Sequence, residues 1–130
     1  MTQTYPFLMF TGEAEEAMTF YVSTIPNSRV IDVKRVGKED PKREGKVMVA
    51  RFELAGREYR CSDSPPVHAF TFTPSMSSFI ECESEAELDR LCAALGEGGK
   101  VFMPAGNYGF SRKFGWVNDR FGVSWQINLA

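Results

Sequence analysis

The chain is poor in the features by which a short sequence usually declares its chemistry. It has one histidine, His68, and three cysteines among 130 residues. Cys61, Cys82 and Cys92 are odd in number and lack Cys-x-x-Cys spacing. That argues against a zinc knuckle or a disulfide framework and for structural thiols in a reducing compartment. No run approaches the roughly 18 apolar residues that span a bilayer. Met1 to Thr4 shows no charged segment leading into an apolar one, so no secretion signal is expected, and the cytoplasm is the expected location. The formal net charge is −2, and Lys and Arg are interspersed with acids. No basic footprint for nucleic acid results, and neither nucleic acid nor a membrane is an expected partner. The densest charged run, Lys38 to Glu44, nearly cancels itself and reads as a solvated loop.

What is present is an ordinary globular composition, 43% hydrophobic and 25% charged, in a chain long enough to bury one substantial core. It also contains an internal echo. Phe7 and Phe79 open two apolar stretches offset by 72 positions, and Glu13-Ala14-Glu15 recurs as Glu85-Ala86-Glu87 at the same offset. Each copy reads as a short strand, a polar turn and an acidic helix start. Two small modules of one design are expected, module one over residues 1–64 and module two over 67–130, in a single domain.

The patterning fills in each module. Phe7 to Phe10 predicts a strand, and Ala14, Ala17, Met18 and Tyr21 recur at helical spacing. Thr11 is placed to cap that helix, with Glu13, Glu15 and Glu16 in its first turns. Arg29 to Val36 alternates as a half-exposed strand. Lys46–Leu54 and Arg57–Asp63 predict a hairpin closed by Ala55-Gly56. With Leu54 opposite Arg57, Phe52 faces Tyr59 and Ala50 faces Cys61. Met48, Ala50, Phe52, Tyr59 and Cys61 then share an apolar face, while Arg51, Glu53, Glu58 and Arg60 share the other and can form cross-strand ion pairs. Ser64-Pro65-Pro66 breaks the chain. Met76 to Cys82 predicts a strand and Glu85 to Leu95 a helix, with Leu88, Leu91, Cys92 and Leu95 as its buried stripe. Val101–Met103 predicts a strand, followed by a loop from Pro104. Phe114–Val117 and Val123–Leu129 predict a final hairpin. The fold class is α+β: two βαβββ modules forming paired curved mixed sheets around a groove, helices outside.

That module resembles the vicinal oxygen chelate superfamily (glyoxalase I, bleomycin-resistance proteins, extradiol dioxygenases), and within it the PhnB-like branch. The residues that carry the likeness are Pro6-Phe7-Leu8-Met9-Phe10, Ala14-Glu15-Glu16-Ala17, Phe20-Tyr21 and Ile25-Pro26-Asn27-Ser28-Arg29. Phe52-Glu53-Leu54-Ala55-Gly56-Arg57-Glu58 and the closing Gly115-Trp116-Val117-Asn118-Asp119-Arg120-Phe121-Gly122-Val123-Ser124-Trp125-Gln126-Ile127 complete it. The resemblance implies a cavity in which metal-using members place two ligands from each module on a divalent ion, which polarises a substrate oxygen. Those positions fall on Pro6, Cys61, Ser77 and Gln126. The set has no imidazole and no carboxylate, so no metal and no cofactor is expected. The branch is sometimes labelled a demethylubiquinone methyltransferase, yet the sequence has no glycine-rich strand–turn–helix for an adenosyl cofactor.

The expected function is binding of a small-molecule ligand in an apolar cavity by a homodimer, the dimer being what the resemblance implies. Met48, Phe52, Tyr59, Cys61, Ser77, Trp116 and Gln126 are the expected lining. Trp125 suits the helix-facing core, and Ser124, Gln126 and Asn128 the open side of the last strand. The alternative is an enzyme of the same superfamily, of lyase, isomerase or dioxygenase type, using Cys61, His68 or Glu81. Arg112 and Lys113 are placed to steer an anionic ligand, or stand as solvated loop charges.

Overall fold

A computed structural model describes residues 1–130. The chain divides into two compact units, Met1–Ala69 and Phe70–Ala130. The first holds β1 (Phe7–Phe10), α1 (Ala14–Thr24), β2 (Arg29–Arg35), β3 (Val47–Leu54) and β4 (Arg57–Asp63). The second holds β5 (Ser77–Glu81), α2 (Glu85–Gly96), β6 (Lys100–Gly106), β7 (Lys113–Asn118) and β8 (Ser124–Leu129). Each unit builds one four-stranded mixed sheet, with orders β1-β4-β3-β2 and β5-β8-β7-β6. In both, the first strand pairs in parallel with the last, and the other pairs are antiparallel. The echo in the sequence is thus a repeat in topology.

Side-chain parity decides which face of each sheet meets its helix. In the second unit a Cβ added at Gly115 would lie 2.5 Å from Cys92 Sγ on α2, and one added at Gly96 would meet Val117 at 3.3 Å. Gly115 and Val117 therefore face the helix. Their strand partners Ile127 and Trp125 share that side and are buried, as are Leu88, Leu91 and Leu95 of α2. Cys92 is half-buried, and its Sγ fills the notch that Gly115 leaves. In the first unit, α1 buries Ala14, Ala17, Met18 and Tyr21 and packs on β2, β3 and β4. The strand side that is fully covered holds Ala50, Phe52, Leu54 and Cys61, so this is the side beneath the helix.

Three local expectations are corrected. Thr11 does not cap α1. The N-cap position is Glu13, which makes no side-chain cap. Asp63, arriving at the end of β4, does the work instead: Oδ1 accepts from the N–H groups of Gly12 at 2.8 Å and Ala14 at 2.9 Å, and Oδ2 from Val47 N–H at 3.1 Å. A buried carboxylate satisfies donors at a helix start that would otherwise be orphaned. Pro104 does not end a strand, since β6 runs on to Gly106. An edge strand with register shifts tolerates a residue that lacks an N–H. Met48 does not sit with Ala50 and Phe52. It is 40% exposed beside a register shift of the β2–β3 pair, where Lys34 pairs with Val49 but Arg35 with Val47.

The β3–β4 hairpin has the expected register, Leu54 opposite Arg57 and Ala50 opposite Cys61. Its two-residue turn needs positive φ at both positions, and Ala55 (φ 51) adopts it as well as Gly56 (φ 84). The β7–β8 turn is longer and is held by Asp119. Oδ1 accepts from the N–H groups of Phe121 at 2.8 Å and Val123 at 3.0 Å, and Oδ2 from Trp125 Nε1 at 2.9 Å.

Candidate functional site

The site is built on the side of the second sheet that α2 does not cover. Parity places three rows there. Ser77, Ser124 and Asn118 form the first; Phe79, Gln126 and Trp116 the second; Glu81, Asn128 and Phe114 the third. A hydrogen-bonded chain links the first two. Trp116 Nε1 donates to Ser124 Oγ at 2.9 Å, the hydroxyls of Ser77 and Ser124 lie 2.6 Å apart, and Gln126 Nε2 reaches Ser77 Oγ at 3.5 Å. In the third row Asn128 Nδ2 lies 3.1 and 3.3 Å from the two carboxylate oxygens of Glu81. Two buried oxygens, Asn118 Oδ1 and Asn128 Oδ1, have no hydrogen-bond partner.

An aromatic cluster borders the third row. Phe114 is buried, and its ring is met by Phe110 at 5.0 Å, Tyr108 at 6.3 Å and Phe79 at 6.4 Å. Phe79 and Phe110 remain 54% and 63% exposed. Tyr108 is tied down by its hydroxyl, which donates to Pro104 O at 2.5 Å. Phe102 lies 5.0 Å from Trp116.

Ser77, Trp116, Gln126 and Glu81, all expected from the sequence, therefore share one face. Met48, Phe52, Tyr59 and Cys61 belong to the first unit. Phe52 and Cys61 have no exposed surface, and Phe52 stacks on Tyr59 with 5.6 Å between ring centres. These two are core beneath α1 and present no surface to a ligand. Burial, with Asp63 nearby, pushes the Cys61 thiol up to about 12. It stays protonated at neutral pH and is a poor nucleophile. Cys82 and Cys92 are pushed up to about 12 and about 11, again mainly by burial. His68 is exposed on the irregular stretch that follows β4. Of the two loop cations, Lys113 is ion-paired and Arg112 is tied to the backbone. Lys113 Nζ lies 2.8 Å from both Glu85 and Asp89, and Arg112 Nε donates to Ala130 O at 2.6 Å. Sequence reasoning missed the aromatic cluster and Asn118. The loop aromatics Tyr108 and Phe110, two positions apart just ahead of Phe114, were the available signal.

The matching face of the first unit is charged. Arg51 binds Asp32 at 2.7 Å, Arg60 binds Glu58 at 2.9 Å and Arg29 binds Glu53 at 2.8 Å. The register sets Arg51 opposite Arg60 and Glu53 opposite Glu58, so the ion pairs form to β2, along β4 and on the diagonal rather than directly across the hairpin. The Arg51 hydrogen bond holds the Asp32 carboxyl below its usual range. This unit also has an open cleft of about 580 Å³ lined by Thr4, Tyr5, Pro6 and the Ala55–Glu58 turn. A second, of about 180 Å³, is bordered by Lys42, Arg43, Lys46 and Asp63.

The residues at the metal positions do not fit a divalent ion. Pro6 has no side-chain donor, Cys61 is buried and protonated, and Ser77 and Gln126 offer neutral groups already bonded to one another. No three His, Cys, Asp or Glu side chains lie close enough together to hold an ion.

Comparison with known proteins agrees with this architecture. The family profile described as 3-demethylubiquinone-9 3-methyltransferase matches residues 2–128. The structure of a PhnB protein from Bacillus cereus is 47% identical with a TM-score of 0.94, covering 99% of this chain and 100% of that one. A Pseudomonas aeruginosa protein is 31% identical with a TM-score of 0.86, covering 99% and 98%. A glyoxylase/bleomycin resistance protein/dioxygenase domain from Frankia shares the fold at 13% identity and a TM-score of 0.66, covering 100% and 98%. No curated protein matches the chain.

Proposed function

We propose, from the premise that the chain belongs to the PhnB-like branch of the vicinal oxygen chelate superfamily, that it binds a small organic molecule without a divalent metal centre. The observation that carries this is the neutral network of Trp116, Ser124, Ser77 and Gln126 on an uncovered sheet face, flanked by exposed aromatic rings. A few fixed polar groups beside apolar walls are the usual make-up of a ligand site. The lining is Ser77, Trp116 and Gln126 from the original expectation, with Phe79 and Phe110 replacing the buried Phe52 and Cys61.

The methyltransferase description of the family finds no support in the turns that would hold an adenosyl cofactor. The N–H groups at the start of α1 are occupied by Asp63, and Ser84 Oγ accepts from Glu87 N–H at the start of α2. An enzymatic reading rests on Glu81, the one candidate acid–base group on the same face. As in related modules, the protein acts as a homodimer in this proposal, which light scattering tests against the 14.6 kDa chain mass.

The main test is elemental analysis and native mass spectrometry of protein purified without chelator. The expected result is no stoichiometric divalent ion, together with an organic adduct or an empty chain that takes up aryl compounds. A stoichiometric ion lost on Gln126→Ala or Cys61→Ala would overturn the proposal.

A further inference from the structure

The hydrogen-bonding inventory of the uncovered β5–β8–β7 face is lopsided. In its third row the one side-chain N–H donor group, Asn128 Nδ2, is spent on Glu81, and in the rows beyond it Trp116 Nε1 and Gln126 Nε2 are bonded to Ser124 and Ser77. Several acceptors have no such partner. Asn118 Oδ1 and Asn128 Oδ1 are buried and unpartnered, and the two oxygens of Glu81 share the single amide of Asn128. The Asn128 amide orientation follows from charge, because a carboxylate only accepts, so Nδ2 must face Glu81 and the oxygen must be the orphan. Lys113 and Arg112, which precede Phe114 in the chain, are held by Glu85, Asp89 and the backbone of Ala130, and Lys100, opposite Asn118 at the other end of the face, lies over the Phe102 ring. An unsatisfied buried acceptor costs about 1–3 kcal/mol, and a donor that reaches it recovers that cost.

We infer that this face takes a planar organic cation rich in N–H donors, of the aryl-amidinium or aryl-guanidinium kind. Its charged end lies against Glu81 and the Asn128 oxygen, and its ring against Phe79, Phe110 and Phe114. The inference rests on the small-molecule-binding reading above and names the ligand class. Three observations converge on it. An exposed carboxylate and an orphaned acceptor are adjacent in one row. Phe114, directly opposite Asn128, is the hub of three ring contacts. Two of those rings, Phe79 and Phe110, are more than half exposed and free to pack on a flat ligand. Asn128 Oδ1 has essentially no exposed surface, so first contact is with Glu81, and the orphan is reached as the side chains around it rearrange. Rotamer changes of exposed side chains are fast.

The probes are benzamidine, benzamide and benzoate, which share one ring and differ in charge. Each is titrated against the intact protein by calorimetry and by chemical-shift perturbation. Benzamidine is expected to bind about tenfold more tightly than benzamide, with benzoate weakest. Glu81→Gln, at an exposed position, removes the benzamidine preference, so that benzamidine and benzamide bind the variant alike. Phe110→Ala weakens both. If benzamide binds as well as benzamidine, or if Glu81→Gln leaves benzamidine affinity untouched, the cation assignment fails while the binding reading stands. If benzoate binds best, the sign is wrong and the assignment fails. If none of the three perturbs this face, both fail.

Discussion

The two sheets share strand order, register logic and helix placement, yet their uncovered faces differ in chemistry. The first is a closed ledger of charge: Arg29, Arg51 and Arg60 against Glu53, Asp32 and Glu58, each cation with a carboxylate in reach. The second has one carboxylate, a neutral hydrogen-bond chain and two unpartnered buried oxygens. Phe7 and Phe79 occupy equivalent places on these faces and are almost equally exposed, at 55% and 54%. The difference therefore arises from the neighbours and not from the scaffold. A self-saturated ionic face has little left to offer a ligand, whereas an acceptor-rich face with exposed rings does. The proposed binding reading therefore assigns recognition to the second unit, with the first as its structural twin.

The sharpest way to break the comparison is through the buried carboxylates, which both units use structurally. Asp63→Ala orphans three backbone N–H groups and is expected to cost about 3 kcal/mol. Asp119→Ala, which orphans two N–H groups and the Trp125 indole, should cost a similar amount. Urea unfolding checks both. A loss under about 1 kcal/mol in either would show that the carboxylate is replaceable.

The notch at Gly115 is the next test. Gly115→Ala forces a methyl group to within 2.5 Å of Cys92 Sγ and should cost about 1–3 kcal/mol by overpacking. Cys92→Ala in the same chain makes room, so the double variant should recover most of the loss. Absence of recovery in a double-mutant cycle would refute the helix-facing assignment of β7.

On the first sheet, Arg51→Met removes exposed ion pairs and should change stability by less than about 1 kcal/mol without altering aryl-ligand binding. Any loss of binding there would return the site to the first unit. The smallest effect is expected at the tight turn. Ala55→Asn suits the left-handed backbone better and should stabilise by about 0.5 kcal/mol in thermal melts.

A pH prediction follows from the thiols. Folding raises all three from 9.0, to about 12, 12 and 11. Between those limits the folded state holds more protons than the unfolded one, so stability falls as pH rises through that window and is unaffected below it. Cys61→Ala should flatten the decline in urea midpoints above pH 9. A slope identical to that of the parent would rule out Cys61 as a contributor.

Much of this was readable from the chain. Alternation and the Ala55-Gly56 turn determined the hairpin register, because the side-chain period of a strand is two and a two-residue turn leaves no slack. The repeat determined the strand–helix–three-strand order of each unit, and the closing Gly115–Ile127 segment determined the family. The sequence could not say which side of β3 and β4 lies under the helix. An apolar stripe suits a helix-packed core as well as a ligand wall, so Phe52 was legible as apolar but not as core, whereas a buried, inert thiol at Cys61 is what the sequence already favours. Nor could local patterning show that Asp63, some fifty positions away, would satisfy the start of α1, or that Tyr108 and Phe110 would gather on Phe114. Burial, orphaned acceptors and long-range caps depend on which elements meet, and only the packed chain decides that.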